Sequence, residues 1–216
     1  MEKELQKRIF SSIILIPIAV FFTFQGSKYF IFFLSLLFVA TSYEWIKMCK
    51  KKYLMNFFGN IFLIFSFFSA FYIRENTGLL FFLFIILICI FTDIGGYVFG
   101  KFFKGPKLTK ISPNKTYSGL LGSFIFPVIV SLIYNKYYSL IGTYFSSKFP
   151  GVNYELNFLF FILFISMISQ LGDLIISFFK RKAKVKDTGN LLPGHGGLLD
   201  RIDGLIFVIP ILYLTL

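Results

Sequence analysis

A chain of 216 residues is 56% apolar and only 15% charged, with 33 Phe, 12 Tyr and a mean hydropathy of +0.77. That composition excludes a disordered chain, which is poor in apolar residues and rich in charge. It also argues against a soluble globule, because so small a sphere has too little interior for this much Phe, Ile and Leu. The net charge of +12 would indicate nucleic acid in a soluble protein; in a membrane protein it indicates cytoplasmic loops and anionic lipid, and no nucleic-acid partner is expected.

Seven charge-free or nearly charge-free runs follow in order: 9–27, 29–43, 53–73, 76–100 (interrupted by Asp93), 116–135, 156–179 (interrupted by Asp173) and 204–216. A spanning helix needs about 20 mostly apolar residues. Six runs qualify or nearly so, and the last is short. The fold class expected is therefore all-α: a polytopic transmembrane helical bundle of about seven spans, a single domain over 1–216. The first run follows Lys3, Lys7 and Arg8 like a signal peptide, but it ends at 22–25 with no small-residue cleavage site, so a retained span is expected.

Alternating seven spans from a cytoplasmic N-terminus puts eighteen basic residues inside and four (Lys28, Arg74, Lys136, Lys148) outside. Basic residues near helix ends stay on the cytoplasmic side, so the N-terminus and the loops 101–115 and 180–203 are expected there, at the cytoplasmic (inner) membrane. Cys49 and Cys89 form no disulfide framework, and with a single His a zinc site is not expected.

All five aspartates fall within or beside the cytoplasmic ends of the last four runs. Asp93 and Asp173 interrupt hydrophobic helices, where a carboxylate is costly and faces a partner or an aqueous cavity. Asp173 belongs to a stripe of Ser166, Ser169, Gln170, Ser177 and Lys180 whose steps of three and four share one helix face. Gly96 and Gly100 beside Asp93 allow close approach of a helix or ligand. Glu44, next to Trp45, is expected as an interfacial residue.

The loop 101–115 alternates lysines with small residues and ends at a helix start. Lys115 and Thr116 there suit phosphate, because helix N-terminal amides favour anions and Lys adds a point charge. The loop 180–203 carries Lys180, Arg181 and Lys186, then a Gly-rich turn with His195, then Asp200, Arg201 and Asp203. Asp200 and Asp203 lie three apart, one face of a helix, and two oxygen ligands at that spacing suit Mg²⁺. Carboxylates, cations and a Gly-rich backbone together suit phosphoryl or nucleotidyl transfer.

Ser177, Lys180-Arg181, Lys186-Asp187, Gly189, Pro193-Gly194-His195-Gly196-Gly197, Asp200-Arg201 and Asp203 stand in the register S-x-x-K-R-x4-K-D-x-G-x-x-x-P-G-H-G-G-x-x-D-R-x-D. In this the chain resembles the phosphatidate cytidylyltransferases, or CDP-diacylglycerol synthases. Gln170-Leu171-Gly172-Asp173, together with Asp93, Tyr97, Gly100-Lys101 and Ser112-Pro113-x-Lys115-Thr116, extends the resemblance over roughly 93–210, the expected catalytic part, whereas 1–92 match only as spans. Many members carry Glu where this chain has Ser118, and Ser where it has Gly204.

The resemblance implies that CTP and phosphatidate give CDP-diacylglycerol and pyrophosphate, in a homodimer held in membrane lipid. On that reading Asp187, Asp200 and Asp203 hold Mg²⁺, a second cation being left open, and Asp93 and Asp173 support a polar cavity. Lys180, Arg181, Lys186 and Arg201 bind the triphosphate or the lipid phosphate. Lys115 and Thr116 take the lipid headgroup, and His195 contacts the triphosphate. A CTP-dependent lipid or polyprenol kinase is the alternative enzyme. An anion or proton transporter is the alternative of another class, but it predicts repeated broken helices that the chain lacks. A CDP-alcohol phosphotransferase fails because the Ala-Arg that would follow Asp203-Gly204 is missing.

Overall fold

In lipid a backbone must satisfy its own polar groups, which restricts spanning segments to helices or closed barrels. The computed structural model describes residues 2–50, 52–109, 112–137, 154–192, 194 and 196–215. Among them the elements are helices: α1 (Glu2–Gln25), α2 (Ser27–Cys49), α3 (Tyr53–Thr77), α4 (Leu79–Phe103), α5 (Tyr117–Tyr137), α6 (Tyr154–Lys182), α7 (Leu199–Ile202) and α8 (Leu205–Thr215). The only β pairing among the described residues is two isolated bridges, Lys107 with Thr116 and Leu192 with Gly196.

Five helices are long and apolar enough to cross a membrane: Ser27–Cys49, Tyr53–Thr77, Leu79–Phe103, Tyr117–Tyr134 and Leu156–Lys182. The chain is a membrane protein on that ground. The remaining two of the expected seven are shorter apolar stretches, Phe10–Gln25 and Leu205–Thr215. At 1.5 Å per residue, the 11 residues of α8 rise about 16 Å, against a hydrocarbon core of about 30 Å.

The described chain divides into two compact units, one of residues 1–79 with 175–216 and one of residues 80–174. In the first, α2 packs on α1 and α3, and α3 packs on α8. Its core gathers Trp45, Met48, Cys49, Leu63, Ile176, Leu199 and Ile206. Trp45 is buried, and its indole N–H donates to the Met55 carbonyl at 3.1 Å. Arg74 and Glu75, which the sequence leaves as plain outer-loop charges, join three helix ends. The Arg74 guanidinium donates to the carbonyls of Thr23 and Phe24 at 3.1 Å each, and Glu75 accepts the Ser27 amide at 2.8 Å. These are backbone groups that a helix end leaves without intrahelical partners.

Pro210 inside α8 has no N–H to give the carbonyl four residues earlier, which belongs to Ile206. The buried Ser66 hydroxyl donates to that carbonyl at 2.6 Å, so α3 supplies the bond that proline removes.

The second unit packs α4 against α5 and the first part of α6 through aromatic rings. Phe84 is fully buried, with ring centroids 5.1 Å from Tyr134 and 5.8 Å from Phe158. The Thr92 hydroxyl reaches that of Ser166 at 3.1 Å, which accounts for one member of the expected polar stripe. Gly95 and Gly122 bring α4 and α5 together, since a side chain at either would collide with the other's carbonyl oxygen. Close approach through small residues is the packing that membrane helices favour.

Ser66→Ala should leave the Ile206 carbonyl buried and unbonded, lowering stability by about 1–3 kcal/mol. Unfolding of the detergent-solubilised variant beside the parent protein checks this, and equal stability would mean that another donor serves the carbonyl.

Candidate active site

The segment after α6 is built as a series of capped turns. Helix α6 ends in two bonds, Val185 N–H to the Lys180 carbonyl and Lys184 N–H to the Arg181 carbonyl, both 3.0 Å, with Lys184 at φ 58°. That is the Schellman arrangement, in which glycine usually takes the left-handed position. The chain then turns through Asp187 and Thr188 to the Leu192–Gly196 bridge, and reaches the short helix α7.

Helix α7 starts without a capping side chain of its own, because Leu198 stands at the N-cap. Glu44 from α2 supplies the acceptors. Its Oε1 takes the Leu198 amide at 2.9 Å, and its Oε2 takes the Leu199 amide at 2.9 Å and the Thr188 hydroxyl at 3.1 Å. Glu44 is wholly buried. A carboxylate there is tolerable only when hydrogen bonds replace its water, and at a helix N-terminus it meets the positive end of the dipole. Glycine is required on both sides: a side chain at Gly189 or Gly197 would run into the Glu44 carboxylate.

Asp200 completes the cluster. Its Oδ1 accepts from Lys180 at 2.8 Å, with both side chains nearly buried. Its Oδ2 accepts the Thr188 amide at 2.8 Å, the Thr188 hydroxyl at 3.0 Å and the Gly197 amide at 3.2 Å. The Thr188 hydroxyl therefore stands between two carboxylates. Of the remaining expected residues in this unit, Asp203 is buried, and its Oδ1 accepts the amide of Gly204 at 2.9 Å. Arg181, Lys186, Asp187 and Arg201 are exposed. His195 lies outside the described residues.

The expected metal ligands are not gathered. Among the described residues no three His, Cys, Asp or Glu side chains form a group that could hold a metal ion, and Asp200 has both oxygens engaged. Asp187, Asp200 and Asp203 therefore form no preassembled three-carboxylate cage, and no chemical step is derived through a metal.

The second unit holds the other expected residues. Lys115 pairs with Asp173 at 2.5 Å, with each side chain about a quarter exposed. Thr116 caps α5, its hydroxyl accepting the Gly119 amide at 3.1 Å. The loop before it is a small hairpin, with Leu108 N–H to the Lys115 carbonyl at 2.7 Å and Tyr117 N–H to the Pro106 carbonyl at 3.2 Å. Ser118, where the resemblance expects Glu, donates to the Lys104 carbonyl and closes that hairpin. Asp93 is exposed on α4.

Sequence reasoning placed Glu44 at an interface and passed over Thr188. The available signal was indirect: a helix start with leucine, not a capping side chain, at its N-cap Leu198, and a single acid in an otherwise apolar stretch of α2.

A membrane-helix protein with a basic, Gly-rich, doubly carboxylate-braced segment is a nucleotidyl- or phosphoryl-transfer candidate, and sequence comparison narrows it. Residues 50–216 match the Cytidylyltransferase family, and the chain belongs to that family. A phosphatidate cytidylyltransferase of Staphylococcus epidermidis is 41% identical over 150 residues, covering 69% of this chain and 54% of the relative. Those of Staphylococcus saprophyticus and Staphylococcus aureus are 41% and 39% identical over 151 and 153 residues, with the same coverage. The chain spans about half the length of the curated relatives it matches.

Lys180→Ala should leave Asp200 nearly buried without its cation. Removing one partner of a buried pair costs about 3–5 kcal/mol, so the variant should unfold at markedly lower denaturant. Lys180→Arg, which keeps the charge, should recover most of that loss.

Proposed function

We propose that this chain carries the nucleotidyl transfer of a phosphatidate cytidylyltransferase, making CDP-diacylglycerol and pyrophosphate from CTP and phosphatidate. The observation that carries the reading is the Lys180–Asp200–Thr188 cluster, formed by the segment that matches the family. Family membership and the names of the staphylococcal relatives support it.

A phosphate oxygen of the lipid attacks the α-phosphorus of CTP. A new P–O bond forms there, the bond to the β-phosphate oxygen breaks, and pyrophosphate leaves. Both reactants are anions, so the enzyme's work is positioning and charge stabilisation. Lys180 is the cation whose place is fixed by Asp200, and Arg181, Lys186 and Arg201 are exposed cations that can reach phosphate. Lys115 and Thr116 are assigned to the lipid headgroup side, Asp93 and Asp173 to polar support, and His195 to the triphosphate. A lipid phosphate ionised near neutral pH needs no strong base.

We also propose a Mg²⁺ requirement, on the reaction's charge alone, since the arrangement of carboxylates assigns no ligands. The proposed setting is a homodimer of about seven spans in the cytoplasmic membrane, with both basic loops cytoplasmic. The 18:4 division of basic residues supports that orientation.

The test supplies CTP labelled separately at the α- and γ-phosphorus to the purified chain in micelles with phosphatidate. Label from the α position in lipid, with pyrophosphate released and with loss of activity in EDTA, is the expected result. Label from the γ position would establish a kinase instead, and activity undiminished by EDTA would remove the Mg²⁺ requirement. Asp200→Asn should abolish turnover measured per folded molecule, since the change also takes the partner from the nearly buried Lys180, and normal activity in that variant would remove Asp200 from the machinery.

A further inference from the structure

Glu44 lies outside the 50–216 segment that matches the family, yet it is fully buried against the segment that carries the proposed chemistry. Three donors from that segment converge on it: the amides of Leu198 and Leu199 and the hydroxyl of Thr188. The same hydroxyl stands 3.0 Å from Asp200 Oδ2. A hydroxyl carries one proton, so Glu44 and Asp200 share one donor, and the position of either depends on the other. Ordinary packing would be served by an apolar residue at position 44. A buried acid with these partners serves a segment rich in glycine, whose backbone otherwise has wide freedom.

We propose that Glu44 is a positioning residue for the reaction: acting through Thr188 and the α7 amides, it holds the 188–200 segment, and with it Asp200 and Lys180, in the geometry that turns over substrate. The proposal rests on the nucleotidyl-transfer reading, but its structural half can be measured apart from activity. Side-chain length matters as much as polarity here, because both carboxylate oxygens are used. Gln in place of Glu keeps one acceptor and turns an N–H₂ toward donors.

The experiment compares the full chain with Glu44→Gln, Thr188→Val, Thr188→Ser and the Glu44→Gln/Thr188→Val double variant in micelles. Amide hydrogen exchange across 188–199 is read together with turnover per folded molecule. Glu44→Gln should speed exchange at Leu198 and Leu199 and lower turnover on the order of 100-fold, the scale of a small misplacement of catalytic groups. Thr188→Val should lower turnover, Thr188→Ser should restore it, and the double variant should lose less than the product of the two single losses, since the two side chains share one contact.

Unchanged exchange in Glu44→Gln overturns the proposal. So does faster exchange with turnover within about twofold of the parent, or losses that multiply in the double variant. If Glu44→Gln fails to fold, the Thr188 pair decides: equal turnover in the Val and Ser variants overturns the proposal. If the parent chain makes no CDP-lipid, the transfer reading fails, and exchange alone still decides whether Glu44 holds the segment.

Discussion

One buried carboxylate organises the first unit of this protein. Glu44 sits near the end of a transmembrane helix where water is absent, and an acid there demands replacement hydrogen bonds. The segment 188–199 demands the reverse: backbone amides at the start of a short helix with no acceptor nearby in sequence. Each satisfies the other across 154 and 155 positions of chain. Charge-assisted bonds of this kind are stronger than neutral ones, which suits a segment made largely of glycine and leucine.

Around that contact the same logic recurs. Ser66 supplies Ile206 with the bond that Pro210 cannot make, and Arg74 with Glu75 closes the ends of α1 and α2. These polar side chains are therefore spent on backbone groups of other elements. Lys180 and Asp200 are the exception in type, a nearly buried ion pair. Such a pair is weak evidence for stability, because desolvation offsets the attraction; its value lies in fixing where a cation stands beside the segment proposed to bind phosphates.

Much of the candidate site was legible because its residues are dense in one stretch. Lys180, Asp200 and the glycines around 194–197 mark a candidate phosphate-handling segment by type and spacing alone. Lys115 and Thr116 were legible as a helix start, and Thr116 does cap α5. The metal reading rested on Asp200 and Asp203 being three apart, but spacing fixes only a shared face. It does not say which donors reach a carboxylate first, and for Asp200 they are Lys180, Thr188 and Gly197.

By itself the sequence determined that this is a helical membrane protein and which stretches carry charge. Apolar run length and the cost of unpaired backbone in lipid leave few other solutions. It also singled out the segment proposed for transfer, since those residues are neighbours along the chain. Only the tertiary structure decided that Glu44 turns inward onto the 188–199 segment. It also decided that Ser66 meets Ile206, and that Asp200 is braced by Lys180 and Thr188. The reason is physical: periodicity sets the face of a helix on which a residue lies, whereas the partner that makes a buried polar group tolerable comes from distant chain, and packing alone brings it there.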